Sequence, residues 1–157
     1  MDQQTFTELV KQSERKLYRI AMIYTRNLPD AADAVQEALL RAWNKRDSLR
    51  DEALFSTWLT RILINECKTL LRKRRHMLPF AQLPKQAVQL APDADREWAD
   101  ALFSLPEKYR IPLVLHALEG YTLAEVARLM HLPVSTVKTR VSRARQHLKK
   151  EGLNDAE

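Results

Sequence analysis

Apolar side chains recur at every third or fourth position through most of the chain. In "FSTWLTRILINECKTLLRKRR", Leu59, Ile62, Leu63, Cys67 and Leu70 fall on one side of a helical wheel. Trp58, Arg61, Asn65, Lys68 and Arg72 fall on the other, with Thr69 at its edge. In "DAADAVQEALLRAW", Val35, Ala38, Leu39, Ala42 and Trp43 make an apolar face, and Asp33, Gln36, Glu37 and Arg41 lie largely off it. In "VSTVKTRVSRARQHLKK" the stripe is narrow, made of Val134, Val137, Val141, Ala144 and Leu148. Each is the period of a helix with one face on a core, and no alternating strand pattern stands out. Only two glycines, Gly120 and Gly152, interrupt a chain rich in Leu, Ala, Arg, Lys and Gln, all good helix formers. The fold class this predicts is all-α.

The pattern places helices at about residues 3–26, 30–45 and 54–75, then 95–104, 106–118, 122–130 and 133–150. Asp30 is expected to cap the second helix, with Asp33 in its first turn. Pro106 fits a first helical position. Pro112 cannot bond the Lys108 carbonyl, which predicts a kink or a later helix start there. Gly120 suits the left-handed position past a helix end, and Thr122 with Glu125 makes a capping box. Leu123, Val126, Ala127 and Met130 then share one side of a short helix, and "HLP" makes a turn before the last one.

Pro79, Pro84 and Pro92 lie close together after "RKRRHM", a density that breaks helices. The chain therefore reads as two small helical domains, residues 1–75 and 94–157, joined by a flexible linker at 76–93. Charge follows the same division. Residues 1–80 carry 15 basic and 10 acidic side chains, residues 81–100 carry 2 and 4, and residues 101–157 carry 9 and 6. The net charge of +6 suits a polyanionic partner without identifying it.

The last helix narrows that choice. Ser135, Thr136, Thr139, Ser142, Arg143 and Gln146 project away from its apolar stripe, with Lys138 and Arg145 flanking them. It carries six Lys and Arg residues and no acidic one, whereas a helix that is merely solvated mixes both signs. Small hydroxyl residues let a helix approach base edges, and cations reach phosphates or guanine. With the short helix before it, this is the pattern of a DNA-reading helix-turn-helix. The face of Trp58, Arg61, Asn65, Lys68 and Arg72 suits single-stranded nucleic acid, where bases stack and the backbone needs countercharge. It equally suits a core tryptophan followed by cations that complement a helix C-terminus.

Catalysis finds no support. His76, His116, His131 and His147 have no metal-ligand spacing among themselves or with Cys67, and neither a phosphate-binding glycine loop nor a glycine-flanked nucleophile is present. Asp93, Asp95 and Asp100 read as a solvated linker rather than a metal site. No enzyme activity, cofactor or metal is expected. The lone Cys67 reads as a small buried apolar residue in a reducing compartment. The N-terminus lacks the order of a signal peptide, and "IPLVLHAL" is too short to span a bilayer, so a cytoplasmic protein with no membrane insertion is expected.

Taken together, the segments resemble a bacterial sigma factor of the extracytoplasmic-function (ECF) group, over nearly the whole chain. "DAADAVQEALLRAW" resembles the helix by which such factors grip core RNA polymerase, which implies contacts at Asp33, Gln36, Glu37 and Arg41. "FSTWLTRILINECKTLLRKRR" resembles the segment that opens and reads the minus-ten element, which implies DNA contacts around Asn65, with Arg61, Lys68, Thr69 and Arg72 near it. "LPEKYRIPLVLHALEGYTLAEVARLMHLPVSTVKTRVSRARQHL" resembles the domain that reads the minus-thirty-five element. There the contacts fall on Ser135, Thr136, Lys138, Thr139, Ser142 and Arg143. Departures from the family pattern are His131 and Ser135 where glycine is common, and Thr69 where a carboxamide or acid often stands. The resemblance implies core RNA polymerase, promoter DNA and a membrane-linked anti-sigma factor as partners. The competing reading is a stand-alone helix-turn-helix transcription regulator, which leaves the first 75 residues unexplained.

Overall fold

A computed structural model of the protein describes residues 1–77 and 96–150. The chain divides into two compact units, Met1–Ala87 and Val88–Glu157. The described residues are helical with no strand, as the apolar period requires.

In the first unit α1 (Gln3–Thr25), α2 (Leu28–Asn44) and α3 (Phe55–Met77) all pack on one another. Two 3-10 turns, Arg46–Ser48 and Glu52–Leu54, lead from α2 into α3. Leu17, Ile20, Val35, Ala38, Leu59, Leu63, Ile64 and Cys67 are buried at the centre of this bundle. At one end the rings of Phe6, Trp43, Phe55 and Trp58 form a chain of edge and tilted contacts, with centroids 5.1–5.8 Å apart. Trp58 is half-buried against Phe55. The buried face of α3 is broader than its period implied, because Phe55, Thr60 and Ile64 are also buried while Ile62 and Leu70 are half-exposed.

The start of α2 differs from expectation. Asn27, not Asp30, caps it, with Oδ1 accepting the Asp30 amide at 3.0 Å. Pro29 then sits in the first turn, where a missing N–H costs nothing. Asp30 is the third helical residue and buried, and its carboxylate bonds Arg74 near the end of α3 at 2.5 Å. Asp33 consequently lies in the second turn. The expected linker, residues 76–93, falls outside the described residues apart from His76 and Met77, the last two residues of α3.

In the second unit α4 (Arg96–Ser104) leads into α5 (Glu107–Leu113), which continues as a π turn over Val114–Leu118. The helix α6 (Leu123–Met130) and the longer α7 (Val134–Lys150) follow, and α7 packs on both α5 and α6. Pro106 precedes the first turn of α5 rather than opening it, and its carbonyl accepts the Tyr109 and Arg110 amides. Pro112 sits inside α5, and the wide π turn follows it by two residues. Buried Arg110 joins α4 to α5, bonding the Leu105 carbonyl at 3.0 Å and facing the Phe103 ring. Gly120 has φ +82°, and the Thr122–Glu125 capping box forms as its spacing predicts. His131 adopts φ 56° and ψ 46°, the conformation a glycine would take there. Its amide and that of Leu132 both reach the Ala127 carbonyl, closing the turn between α6 and α7. Of the apolar stripe on α7, Val137, Val141, Ala144 and Leu148 are buried, but Val134 is 46 % exposed. It occupies the first position of the helix, ahead of the residues that reach the core.

Candidate functional site

On α2 the residues Asp33, Gln36, Glu37 and Arg41 are all exposed, on the side turned from Ala34, Val35 and Ala38. They do not stand alone. They form one wall of a groove whose other wall is Glu66, Thr69, Leu70 and Lys73 of α3. Arg41 is ion-paired across this groove to Glu66, a residue that the apolar period left unremarked. The groove brings Thr69 beside the α2 set, so faces that looked separate in sequence adjoin.

Along α3, Arg61, Asn65 and Arg72 are exposed, and Lys68 and Thr69 are half-buried. The Thr69 hydroxyl donates back to the Asn65 carbonyl at 3.0 Å, which fixes its rotamer against the helix. Within "RKRR" the roles divide. Arg74 is held by Asp30, whereas Arg72 and Lys73 project outward. Cys67 is buried behind this face, and burial, with the Glu66 charge adding to it, pushes its thiol up to about 12. Such a thiol is not a nucleophile at neutral pH.

On α7 the outer ridge is Ser135, Thr139, Ser142 and Gln146, all exposed, with the Thr139 hydroxyl bonded to the Ser135 carbonyl at 3.0 Å. This ridge of small side chains has a basic flank on each side. Lys138 and Ser142 join Arg145 and Lys149 along one flank, where His116 of the π turn also lies. The His116 ring is turned by a 2.7 Å contact between Nδ1 and the Tyr121 carbonyl. Thr136, Thr139 and Arg143 join Arg140 along the other flank, where Lys108 and Tyr109 of α5 complete the wall. Ser135, Lys138, Thr139, Ser142 and Arg143 are exposed, and Thr136 is half-buried. Lys108, Tyr109, Arg140 and Glu66 are residues that reading single helices missed. Their place depends on which helices pack together, and no local pattern carries that. Among the described residues no cluster of His, Cys, Asp or Glu has the geometry to hold a metal. None of the described helices is long and apolar enough to cross a membrane.

The comparisons with known proteins divide the chain at the same place. Residues 9–77 match sigma-70 region 2, and residues 95–148 match sigma-70 region 4. The ECF RNA polymerase sigma factor SigW of Bacillus subtilis is 30% identical over 169 residues, covering 96% of this chain and 90% of SigW. The chain belongs to the ECF sigma factors. SigM of Mycobacterium tuberculosis is 34% identical over 155 residues, covering 94% of this chain and 76% of SigM. Among solved structures, the sigma factor RpoE of Bartonella quintana, in complex with the anti-sigma factor NepR, is similar with a TM-score of 0.84 and 25% identity. That likeness covers 96% of this chain and 99% of RpoE. In this sigma factor, α1–α3 make up most of region 2 and α4–α7 make up region 4. The family consists of transcription initiation factors rather than enzymes, and a region 2 match is what the stand-alone regulator reading cannot accommodate.

Proposed function

We propose that this sigma factor binds core RNA polymerase and directs it to a particular set of promoters. The exposed α2 face of Asp33, Gln36, Glu37 and Arg41 meets the polymerase. Asn65, with Arg61, Lys68, Thr69 and Arg72, takes the unstacked strand of the minus-ten element. The α7 ridge with its two basic flanks enters the duplex major groove at the minus-thirty-five element, where Ser135, Thr136, Lys138, Thr139, Ser142 and Arg143 make the contacts. Residues 76–93 link the two domains, 1–75 and 94–157. The protein works in the cytoplasm and is held inactive by a membrane-linked anti-sigma factor.

One observation carries this reading. Region 2 and region 4 matches lie in order on one chain, and each falls on a unit that exposes a nucleic-acid-compatible face. An ammonium or guanidinium on such a face gains phosphate attraction, and short side chains leave room for base edges. The anti-sigma partner is supported by RpoE, which is solved with one. The deciding experiment is transcription in vitro with purified core polymerase on fragmented genomic DNA. New start sites that require this protein, with shared upstream elements, are expected. Sequence-selective duplex binding by the free protein, with no capture of core polymerase, would instead make it a stand-alone regulator.

A further inference from the structure

The Arg143 side chain, one of the base-reading residues, does not stand free on α7. Its guanidinium shares a wall with Tyr109, which comes from α5 and not from the helix-turn-helix itself. The Tyr109 ring is fixed on two other sides. It lies tilted against His147, one turn beyond Arg143, with centroids 5.7 Å apart, and the Lys108 ammonium sits 5.1 Å from its centre. The hydrogen bond from Arg143, with the Lys108 charge adding to it, holds the phenol below its ordinary pKa against the opposing effect of burial. Between α5 and α7 this leaves an open concavity of about 350 Å³, lined by Lys108, Tyr109, Ser135, Thr136, Thr139, Arg140 and Arg143. Three cations and four hydroxyls converge there, with no carboxylate. That composition fits a phosphate diester, which offers a single charge and several acceptor oxygens.

We propose that Lys108 and Tyr109 complete, with the flank of α7, a seat for one backbone phosphate of the promoter duplex, and that Tyr109 is the positioning residue for Arg143 within it. The inference rests on the reading of α7 as the duplex-binding helix. Docked against that seat, the ridge of Ser135, Thr139 and Ser142 has a fixed register on the groove. The cation count also has a consequence. A phosphate in the seat relieves the crowding of Lys108, Arg140 and Arg143, and it raises the Tyr109 phenol back toward its usual range.

The test uses the full chain assembled with core polymerase, on the minus-thirty-five duplex of a promoter mapped by the transcription experiment. Single methylphosphonate linkages, which remove one backbone charge, are placed at each position in turn. The unmodified protein is expected to lose affinity on the order of tenfold at one linkage in particular, as for one charge-assisted contact. Lys108→Ala should weaken binding to the natural duplex by a similar factor and be indifferent to that same linkage. Tyr109→Phe keeps the ring and removes the hydroxyl. It should relax base preference at one position, and it should add nothing to the effect of Arg143→Ala. Ultraviolet difference titration of Tyr109→Phe against the parent should locate a phenol that ionises early and moves up when duplex binds. Full sensitivity of Lys108→Ala to every linkage, or additive effects of Tyr109→Phe and Arg143→Ala, overturns the proposal. Variants on the opposite flank separate that result from a wrong reading of α7. If Lys138→Ala and Ser142→Ala weaken binding while Lys108→Ala and Tyr109→Phe do not, the seat alone is refuted. If all of them bind as the parent does, the reading of α7 falls and takes the seat with it.

Discussion

Arg74 lies in the run "RKRR", where sequence offers no reason to separate it from Arg72, yet replacing Arg74 by alanine should destabilise the first unit and replacing Arg72 should not. Arg74 Nη2 stands 2.5 Å from Asp30 Oδ1, and the Asp30 side chain is only 8% exposed. Arg74→Ala removes a charge-assisted bond worth about 1.5–3 kcal/mol and leaves a carboxylate poorly solvated. Two effects reduce that figure. Asp30 is in the first turn of α2, where the helix dipole favours an anion by about 0.3–1 kcal/mol. The Arg74 side chain is itself 36% exposed, so water can enter where it was. A net loss of about 1–2 kcal/mol remains, which lowers the melting temperature of a unit this size by roughly 5–15 °C. Arg72 is exposed, and its replacement should change stability by no more than about 0.5 kcal/mol.

A melting curve of the whole chain mixes the two units, so the assay needs a probe in the first unit alone. Cys67 supplies it, because its buried thiol reacts with alkylating reagents only when α3 opens. Labelling of Arg74→Ala is expected to be about five- to thirtyfold faster than that of the parent, and labelling of Arg72→Ala unchanged. Adding Asp30→Asn to Arg74→Ala should slow labelling again, since a buried amide costs less than a buried carboxylate. Equal labelling of Arg72→Ala and Arg74→Ala, or a further rise on adding Asp30→Asn, would refute the assignment of Arg74 to the α2–α3 tie.

Asn65→Ala with Lys68→Ala should leave polymerase binding intact but reduce opening of duplex promoters, and a template pre-melted over the minus-ten element should restore transcription; undiminished permanganate reactivity on the duplex template would show the wrong face had been chosen. For the free protein on duplex DNA, about six phosphate contacts predict a slope near −5 in log affinity against log salt, measured by anisotropy. His131→Gly should stabilise the second unit by about 0.5–1 kcal/mol in urea, because His131 holds a left-handed backbone conformation that costs glycine nothing. The Cys67 thiol, raised in the folded state to about 12, ionises near 8.5 once unfolded. Its contribution is therefore constant below about pH 8.5 and turns against the folded state above it, by up to about 1.4 kcal/mol per pH unit, a slope that Cys67→Ala should abolish.

What the sequence makes legible and what it hides divide along a physical line. The capping box of Thr122 and Glu125, the positive φ of Gly120 and the buried stripe from Val137 to Leu148 are set by neighbours within four residues. Each can be read from the chain alone. The choice of cap on α2 cannot, because Asn27 and Asp30 are both good caps and three residues apart. Asp30 is committed elsewhere by Arg74, 44 residues away. Val134 has the spacing of a core residue, but a period cannot say where the neighbouring helices stop. The same limit governs the candidate site. An apolar stripe tells which way a helix faces inward, and hence, by complement, which residues it shows to a partner. That logic puts Asp33, Gln36 and Glu37, or Ser135, Thr139 and Ser142, on the surface without reference to any other helix. Both concavities, however, lie at seams between two helices. Arg41 meets Glu66 at the α2–α3 seam, and Arg143 meets Tyr109 at the α5–α7 seam. In each case a cation expected to reach toward a partner already meets a residue from the next helix. The partner must therefore either displace that residue or use it, and only Tyr109, which has cations and hydroxyls around it and no carboxylate, is suited to being used.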